Sequence, residues 1–230
     1  MRFAAIIVAA GRGVRFGRAK QLVQVFGRPL VAWPLATIEQ IEDVRDLIIA
    51  TESEHVETMH ALAAEFAPRL ACVVVRGGAT RQHSVRSALA HVPARCDAAF
   101  VHDGARPLIC ADDIRSGMAL VTPGTGALIA APVIDTIKVV ASDGSVARTL
   151  DRSELWAAQT PQFGTLADLR DAHAAAQREG FEATDDAMLL ERAGHRVLIV
   201  AASTANFKVT LAGDRDLAEA ILRERAAVRA

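Results

Sequence analysis

The chain has 230 residues, 51% of them hydrophobic and 23% charged, and its formal net charge is −1. That balance is too apolar for a disordered chain and too neutral for sequence-independent nucleic-acid binding, so any affinity for phosphate must be local. No uninterrupted apolar stretch approaches the roughly 18 residues of a membrane span. No cleavable leader pattern precedes the first apolar run, and Cys72, Cys96 and Cys110 lack metal-ligand spacing. These features predict one cytoplasmic domain over 1–230 with free thiols, binding neither membrane nor nucleic acid.

In chain order, apolar runs of strand length fall at 3–10, 46–51, 71–75, 98–102, 127–132 and 197–201. Helix-period segments lie between them. One, over 55–66, puts Val56, Met59, Leu62, Ala63 and Phe66 on a single stripe; another, over 84–92, does the same with Val85, Ala88, Leu89 and Val92. Strands alternating with helices mean an α/β fold with a mainly parallel twisted sheet flanked by helices. Pro34 sits inside a helical pattern spanning 29–40 and predicts a kink there. Segments 136–140 and 145–149 flank Asp143-Gly144, a hairpin signal, so residues 133–155 are expected to project as a β-arm. Its strand edges need a cover, which a second copy of the chain would supply. Near the end, Thr184 reads as a helix cap, Asp185 and Asp186 as an acidic first turn, and Gly194 as the stop.

The first apolar run ends in AAGRGVRFGRAKQ at 9–21, three glycines and four cations at the carboxyl end of a strand. Open α/β sheets bind ligands at that end. Glycines allow close backbone approach to a triphosphate, and cations neutralise charge that develops in phosphoryl transfer. Two better-known phosphate loops do not fit. Phe16 occupies the place of the third glycine of a dinucleotide fingerprint, and Glu52 is too distant to be its ribose-binding acid. A Walker A loop needs Gly-Lys-Ser/Thr, whereas Lys20 lies between Ala19 and Gln21. By itself the stretch remains compatible with a plain glycine turn carrying solvated cations.

Further motifs follow: VRGGATRQHS at 75–84, VHDGARP at 101–107, APVIDTIK at 131–138, LDR at 150–152, QTPQF at 159–163, TDD at 184–186 and NFKVT at 206–210. With the loop at 9–21 they make the chain similar, over 9–210, to the 2-C-methyl-D-erythritol 4-phosphate cytidylyltransferases. The resemblance implies a Rossmann-like nucleotidyltransferase fold with a β-arm exchanged between two subunits. It also implies transfer of CMP from CTP to 2-C-methyl-D-erythritol 4-phosphate in the non-mevalonate isoprenoid pathway. Implied catalytic residues are Arg15, Lys20, Lys208 and Arg152. Implied nucleotide contacts are Ala9, Ala10, Gly11, Gly13, Gly78, Arg81, Ser84, Asp103 and Gly104. Implied sugar-phosphate contacts are Arg106, Asp135, Thr136, Arg152, Thr184 and Lys208, with Thr136 and Arg152 reaching the partner's site.

Other readings of these residues stay open. Arg81 and Ser84 share a helix face, and Gly77-Gly78 can equally be a helix cap. Arg106 can hold its own loop, a phosphate or an ion pair with Asp103; the arm residues can be ordinary hairpin surface; His102 reads first as a packed strand residue. His102 and Asp103 are too few to hold a metal unaided, so Mg2+ is expected to ride on the CTP phosphates, with Asp103 near it through water. The chain departs from the family pattern in a shorter span between Arg15 and Lys20, in Ala19 where proline is usual, in Asp186 where glutamate is usual, and at Arg76 and Ala79. A ribitol 5-phosphate cytidylyltransferase is the nearest alternative, and a dinucleotide-dependent oxidoreductase or a non-catalytic nucleotide-binding module the alternatives of other classes.

Overall fold

The computed structural model describes residues 1–11, 20–202 and 205–228. Its centre is one seven-stranded sheet built from β1 (Phe3–Val8), β4 (Val44–Thr51), β5 (Ala71–Arg76), β6 (Ala98–Asp103), β7 (Thr125–Pro132), β10 (Trp156–Thr165) and β11 (Arg196–Ala201). The spatial order is β11-β7-β10-β6-β1-β4-β5. β1 pairs in parallel with β4 and β6, β4 with β5, and β7 with β11, whereas β10 runs antiparallel between β6 and β7.

The central strand is apolar at every position because both sheet faces are covered. Phe3, Ala5 and Ile7 of β1 pack on one side with Leu35 and Ile38 of α1 (Ala32–Glu39), Met59 and Leu62 of α2 (Val56–Phe66), and Ile114 of α4 (Ala111–Leu120). Ala4 and Ile6 pack on the other with Val85 and Leu89 of α3 (Arg81–Leu89), Leu169 and Ala172 of α5 (Leu166–Glu179), and Leu190 of α6 (Asp186–Arg192). The two-residue period of a strand thus feeds two separate helix layers, each fully buried isoleucine stabilising by roughly 1.5–3 kcal/mol. A smaller core joins Val25, in a short hairpin of β2 (Gln24–Val25) and β3 (Arg28–Pro29), to Ala218 and Leu222 of α7 (Ala212–Val228).

Two expectations change, and one strand appears that the periodicity did not signal. Pro34 produces no kink: the helix begins at Ala32, placing the proline third, within the turn whose N–H groups have no intrahelical acceptor. Asp185, not Thr184, caps α6, its Oδ1 accepting from the Met188 N–H at 2.9 Å, while the Thr184 hydroxyl turns to the Met188 sulfur. Strand β10 was not visible as a strand, because WAAQTPQFGT lacks alternation and carries Pro161; the pairing shifts register between Ala158 and Gln162, which accommodates that proline.

The expected hairpin forms from β8 (Lys138–Val140) and β9 (Val146–Thr149). Gly144 takes φ +84° in its turn, and Asp143 Oδ1 accepts from the Ser145 N–H and hydroxyl. Nothing among the described residues covers the arm: Ile134, Val140 and Val146 are 73%, 61% and 59% exposed. The three cysteines are free, and burial pushes the Cys72 and Cys96 thiols up to about 11, away from thiolate chemistry. No helix among the described residues is long and apolar enough to cross a membrane.

Candidate active site

From β1 the chain passes to β4 and β5 on one side, then returns at β6 on the other. The loops leaving β1 and β6 therefore diverge, opening a crevice at the carboxyl ends of the strands. A cavity of about 910 Å³ lies there, lined by Ala10 and Gly11 after β1, Glu52 after β4, Arg76 to Arg81 after β5, Asp103 of β6, and Lys20 and Lys208. That volume suits a nucleotide-sized ligand. Gly13 and Arg15 lie outside the described residues. Ala9 is buried beneath the cavity, its N–H bonded to the Ala50 carbonyl, and Gly104 is packed against Ile7 and Val31.

The turn at Gly77-Gly78 is shaped by close approach. A Cβ on Gly77 would overlap that of Ala10, and one on Gly78 that of His83. Thr80 caps α3 by accepting from the His83 N–H. Ser84 is buried and its hydroxyl donates to the Thr80 carbonyl at 2.9 Å and accepts the Gly78 N–H at 3.0 Å. Both residues line the cavity, as the nucleotide-contact expectation requires, but the Gly78 N–H is already taken by the Ser84 hydroxyl. They hold the turn that forms one wall.

Charge is concentrated on Asp103, which is 6% exposed. Its Oδ1 lies 3.2 Å from Arg81 Nε, and its Oδ2 lies 2.9 Å from Lys208 Nζ and 3.7 Å from Arg106 Nε. Burial alone would raise the Asp103 pKa, but Arg81, Lys208 and Arg106 outweigh it and hold the carboxyl well below the usual range. Arg81 in turn donates from Nη1 to Asp186 Oδ2 at 2.8 Å. Burial opposes the charge on Arg81, yet Asp186 and Asp103 together raise its pKa. Asp186 is 1% exposed and accepts at Oδ1 from His173 Nε2 at 3.0 Å; burial pushes its pKa up, but Arg81 and His173 bring it down below the ordinary value.

A neutral network ties the same strand end to the Lys208 segment. The Thr160 hydroxyl accepts the Asp103 N–H at 3.0 Å and meets His102 Nδ1 at 3.1 Å, while His102 Nε2 meets the Arg106 carbonyl at 3.1 Å. A carbonyl only accepts, so Nε2 carries the proton and Nδ1 accepts from Thr160. Burial lowers the His102 pKa to about 4, which keeps the ring neutral. Asn206 donates to the Thr160 carbonyl, and Arg106 Nη1 donates to the Asn206 carbonyl. Of the readings open for Arg106, the geometry supplies two, the hold on its own loop and the ion pair with Asp103.

The arm stands apart from the cavity within one chain. Asp135, Thr136 and Arg152 are exposed, and Arg152 Nη1 donates to the Ile134 carbonyl at 2.8 Å. Thr184 is also exposed and does not line the cavity, though it lies two residues from Asp186. Motif reading passed over Asp186, His173 and Thr160 as site residues and noted Glu52 and Arg76 only in passing. For Asp186 a signal existed: two consecutive acids stand at the start of α6, and the cap uses only the first of them.

The model for 2-C-methyl-D-erythritol 4-phosphate cytidylyltransferase matches residues 3–224. The chain is 40% identical over 223 residues to the enzyme of that name from Synechococcus sp. (strain CC9902), covering 96% of this chain and 97% of the relative. It is 38% identical to that of Halalkalibacterium halodurans, with 98% and 99% covered. The solved structure of the Thermus thermophilus cytidylyltransferase superposes with a TM-score of 0.78 at 33% identity, covering 97% of this chain and 100% of that one. These matches span the sheet, the arm and the Lys208 segment alike, so the chain belongs to the 2-C-methyl-D-erythritol 4-phosphate cytidylyltransferase family.

Proposed function

We propose that CTP occupies the cavity at the end of β1 and that the sugar phosphate meets it there beneath the arm of a second subunit. The family's reaction transfers CMP from CTP to 2-C-methyl-D-erythritol 4-phosphate, giving 4-diphosphocytidyl-2-C-methyl-D-erythritol and pyrophosphate. The observation that carries the assignment of the site is the cluster of cations gathered on Asp103 at the mouth of a switch-point crevice.

In this reaction a phosphate oxygen of the sugar phosphate attacks the α-phosphorus of CTP, a new P–O bond forms, and the bond to the β-phosphate oxygen breaks to release pyrophosphate. The nucleophile is already ionised, so the protein needs no general base. Its task is to bring two polyanions together and stabilise the charge that builds on the α-phosphate oxygens. Lys20 enters the cavity from the loop after β1, with Arg15 of the same loop assigned to the triphosphate. Lys208, held by Asp103 at the cavity, is assigned to the α-phosphate. The partner subunit's Arg152 and the partner subunit's Thr136 grip the sugar phosphate, which accounts for their exposure within a single chain.

Among the described residues no three metal-ligating side chains converge, and both Asp103 oxygens are engaged by cations. This donor set suits a hydrated Mg2+ carried on the triphosphate, with Asp103 touching its water shell. When bound, the ion neutralises phosphate charge. Three free thiols agree with a reducing cytoplasm.

The test is pyrophosphate release from CTP with a panel of polyol phosphates. Strong preference for 2-C-methyl-D-erythritol 4-phosphate is expected; equal or faster turnover of ribitol 5-phosphate overturns the substrate assignment.

A further inference from the structure

His173 lies on α5 and takes no part in lining the cavity, yet it is the far end of an unbroken chain of polar contacts that enters it. His173 Nε2 meets Asp186 Oδ1 at 3.0 Å, Asp186 Oδ2 meets Arg81 Nη1 at 2.8 Å, Arg81 Nε meets Asp103 Oδ1 at 3.2 Å, and Asp103 Oδ2 meets Lys208 Nζ at 2.9 Å. His173 and Asp186 are each 1% exposed. Burying such a pair is costly, and apolar residues of similar volume hold a fold at least as well. Core packing therefore does not explain it.

The backbone at Asp186 is fixed as tightly as its side chain. Gln162 Oε1 accepts the N–H groups of Asp186 and Ala187 at 2.8 and 2.9 Å, while Gln162 Nε2 donates to Asp185 and to the Gln159 carbonyl. Arg81 is aimed inward in consequence: Nη1 and Nε go to the two carboxylates, and Nη2 is buried with no hydrogen-bond partner among the described residues. Two of its three nitrogens are thus committed to the protein, which fixes Arg81 against Asp103 at the cavity wall.

We infer that His173 and Asp186 are positioning residues of the transfer reaction, holding Arg81 so that Asp103 presents Lys208 to the α-phosphate in one fixed geometry. The inference rests on the reading of the cavity as the CTP site. Without the His173 donor, Asp186 Oδ1 is left unsatisfied in the core, while Arg81 Nη2 still lacks an acceptor. The carboxylate then turns to grip the guanidinium with both oxygens. Arg81 is drawn from Asp103, and Lys208 loses its restraint.

The test is steady-state kinetics and thermal stability of the full chain carrying His173→Leu, His173→Gln, His173→Asn, Lys208→Ala, and His173→Leu with Lys208→Ala. His173→Leu is expected to lower kcat about tenfold while leaving KM for the sugar phosphate unchanged. Gln, whose amide nitrogen reaches the position of Nε2, restores most of that loss; Asn, whose amide reaches only the position of Nδ1, does not. In the Lys208→Ala background His173→Leu costs less than about twofold more, because the route ends at the missing amine. Unchanged kcat in His173→Leu, or the full loss repeated without Lys208, overturns the inference, as does equal kcat in the Gln and Asn variants should the Leu variant not fold. A Lys208→Ala enzyme with undiminished turnover overturns instead the reading of the cavity on which it rests.

Discussion

Lys208 is bound to Asp103 on one side and half-open to the cavity on the other, with 39% of its side chain exposed. A charge about 4 Å from the transferred phosphate is worth roughly 4 kcal/mol at an effective dielectric near 20. Lys208→Ala is accordingly expected to lower kcat by about two to three powers of ten, read from pyrophosphate release under saturating substrates. His102 carries a different prediction, one of stability. Its folded pKa, about 4, lies below the unfolded value of 6.5, so as pH falls through that window the unfolded chain binds a proton that the folded one does not. The full contribution is present above the unfolded value and declines between 6.5 and 4, by roughly 3 kcal/mol at most. Denaturation across this range should show His102→Gln losing less stability on acidification than the native chain; parallel curves contradict the assignment of a buried neutral ring.

At the scale of the element, the turn before α3 depends on two glycines with no room for a side chain. Gly77→Ala must displace Ala10 or Ser84, and either shift moves the wall of the cavity. KM for CTP is expected to rise at least about tenfold, with a fall in thermal stability. Gly213→Ala is the control: a Cβ there meets nothing within 4 Å, so activity stays unchanged. Local chemistry was readable for elements of this kind. Thr80 before α3 and Asp143-Gly144 in the arm are turn and cap residues whose preferences act within a few positions. Strand β10 and the start of α1 were not readable. β10 pairs with β6 in continuous register and with β7 across a shift that no local signal announces, and Pro34 announces a kink until the first turn of the helix is located around it.

At the scale of the whole molecule, an exposed arm bearing Arg152 and Thr136 and a cavity bearing Lys20 and Lys208 belong to one chain without meeting in it. The proposed two-fold dimer, with its arms exchanged, would bring them together. Mixing Lys208→Ala subunits with Arg152→Ala subunits should then restore about a quarter of the native activity, since half the dimers are mixed and each mixed dimer has one intact site. No recovery after subunit exchange rules out a shared site.

The sequence by itself determined the alternation of strands and helices, the glycine- and cation-rich loop after β1, the arm, and the family to which the chain belongs, because periodicity, turn chemistry and ordered motifs are written in neighbouring residues. Only the tertiary structure decided what the charged groups do. Arg81 and Asp186 stand 105 positions apart, and no spacing rule joins them. That the Ser84 hydroxyl accepts the Gly78 N–H came only with folding, and His173 looked like any helix residue until burial set it against Asp186. Those assignments depend on which buried polar groups find each other across the sheet, a condition imposed by the cost of leaving any of them unpaired.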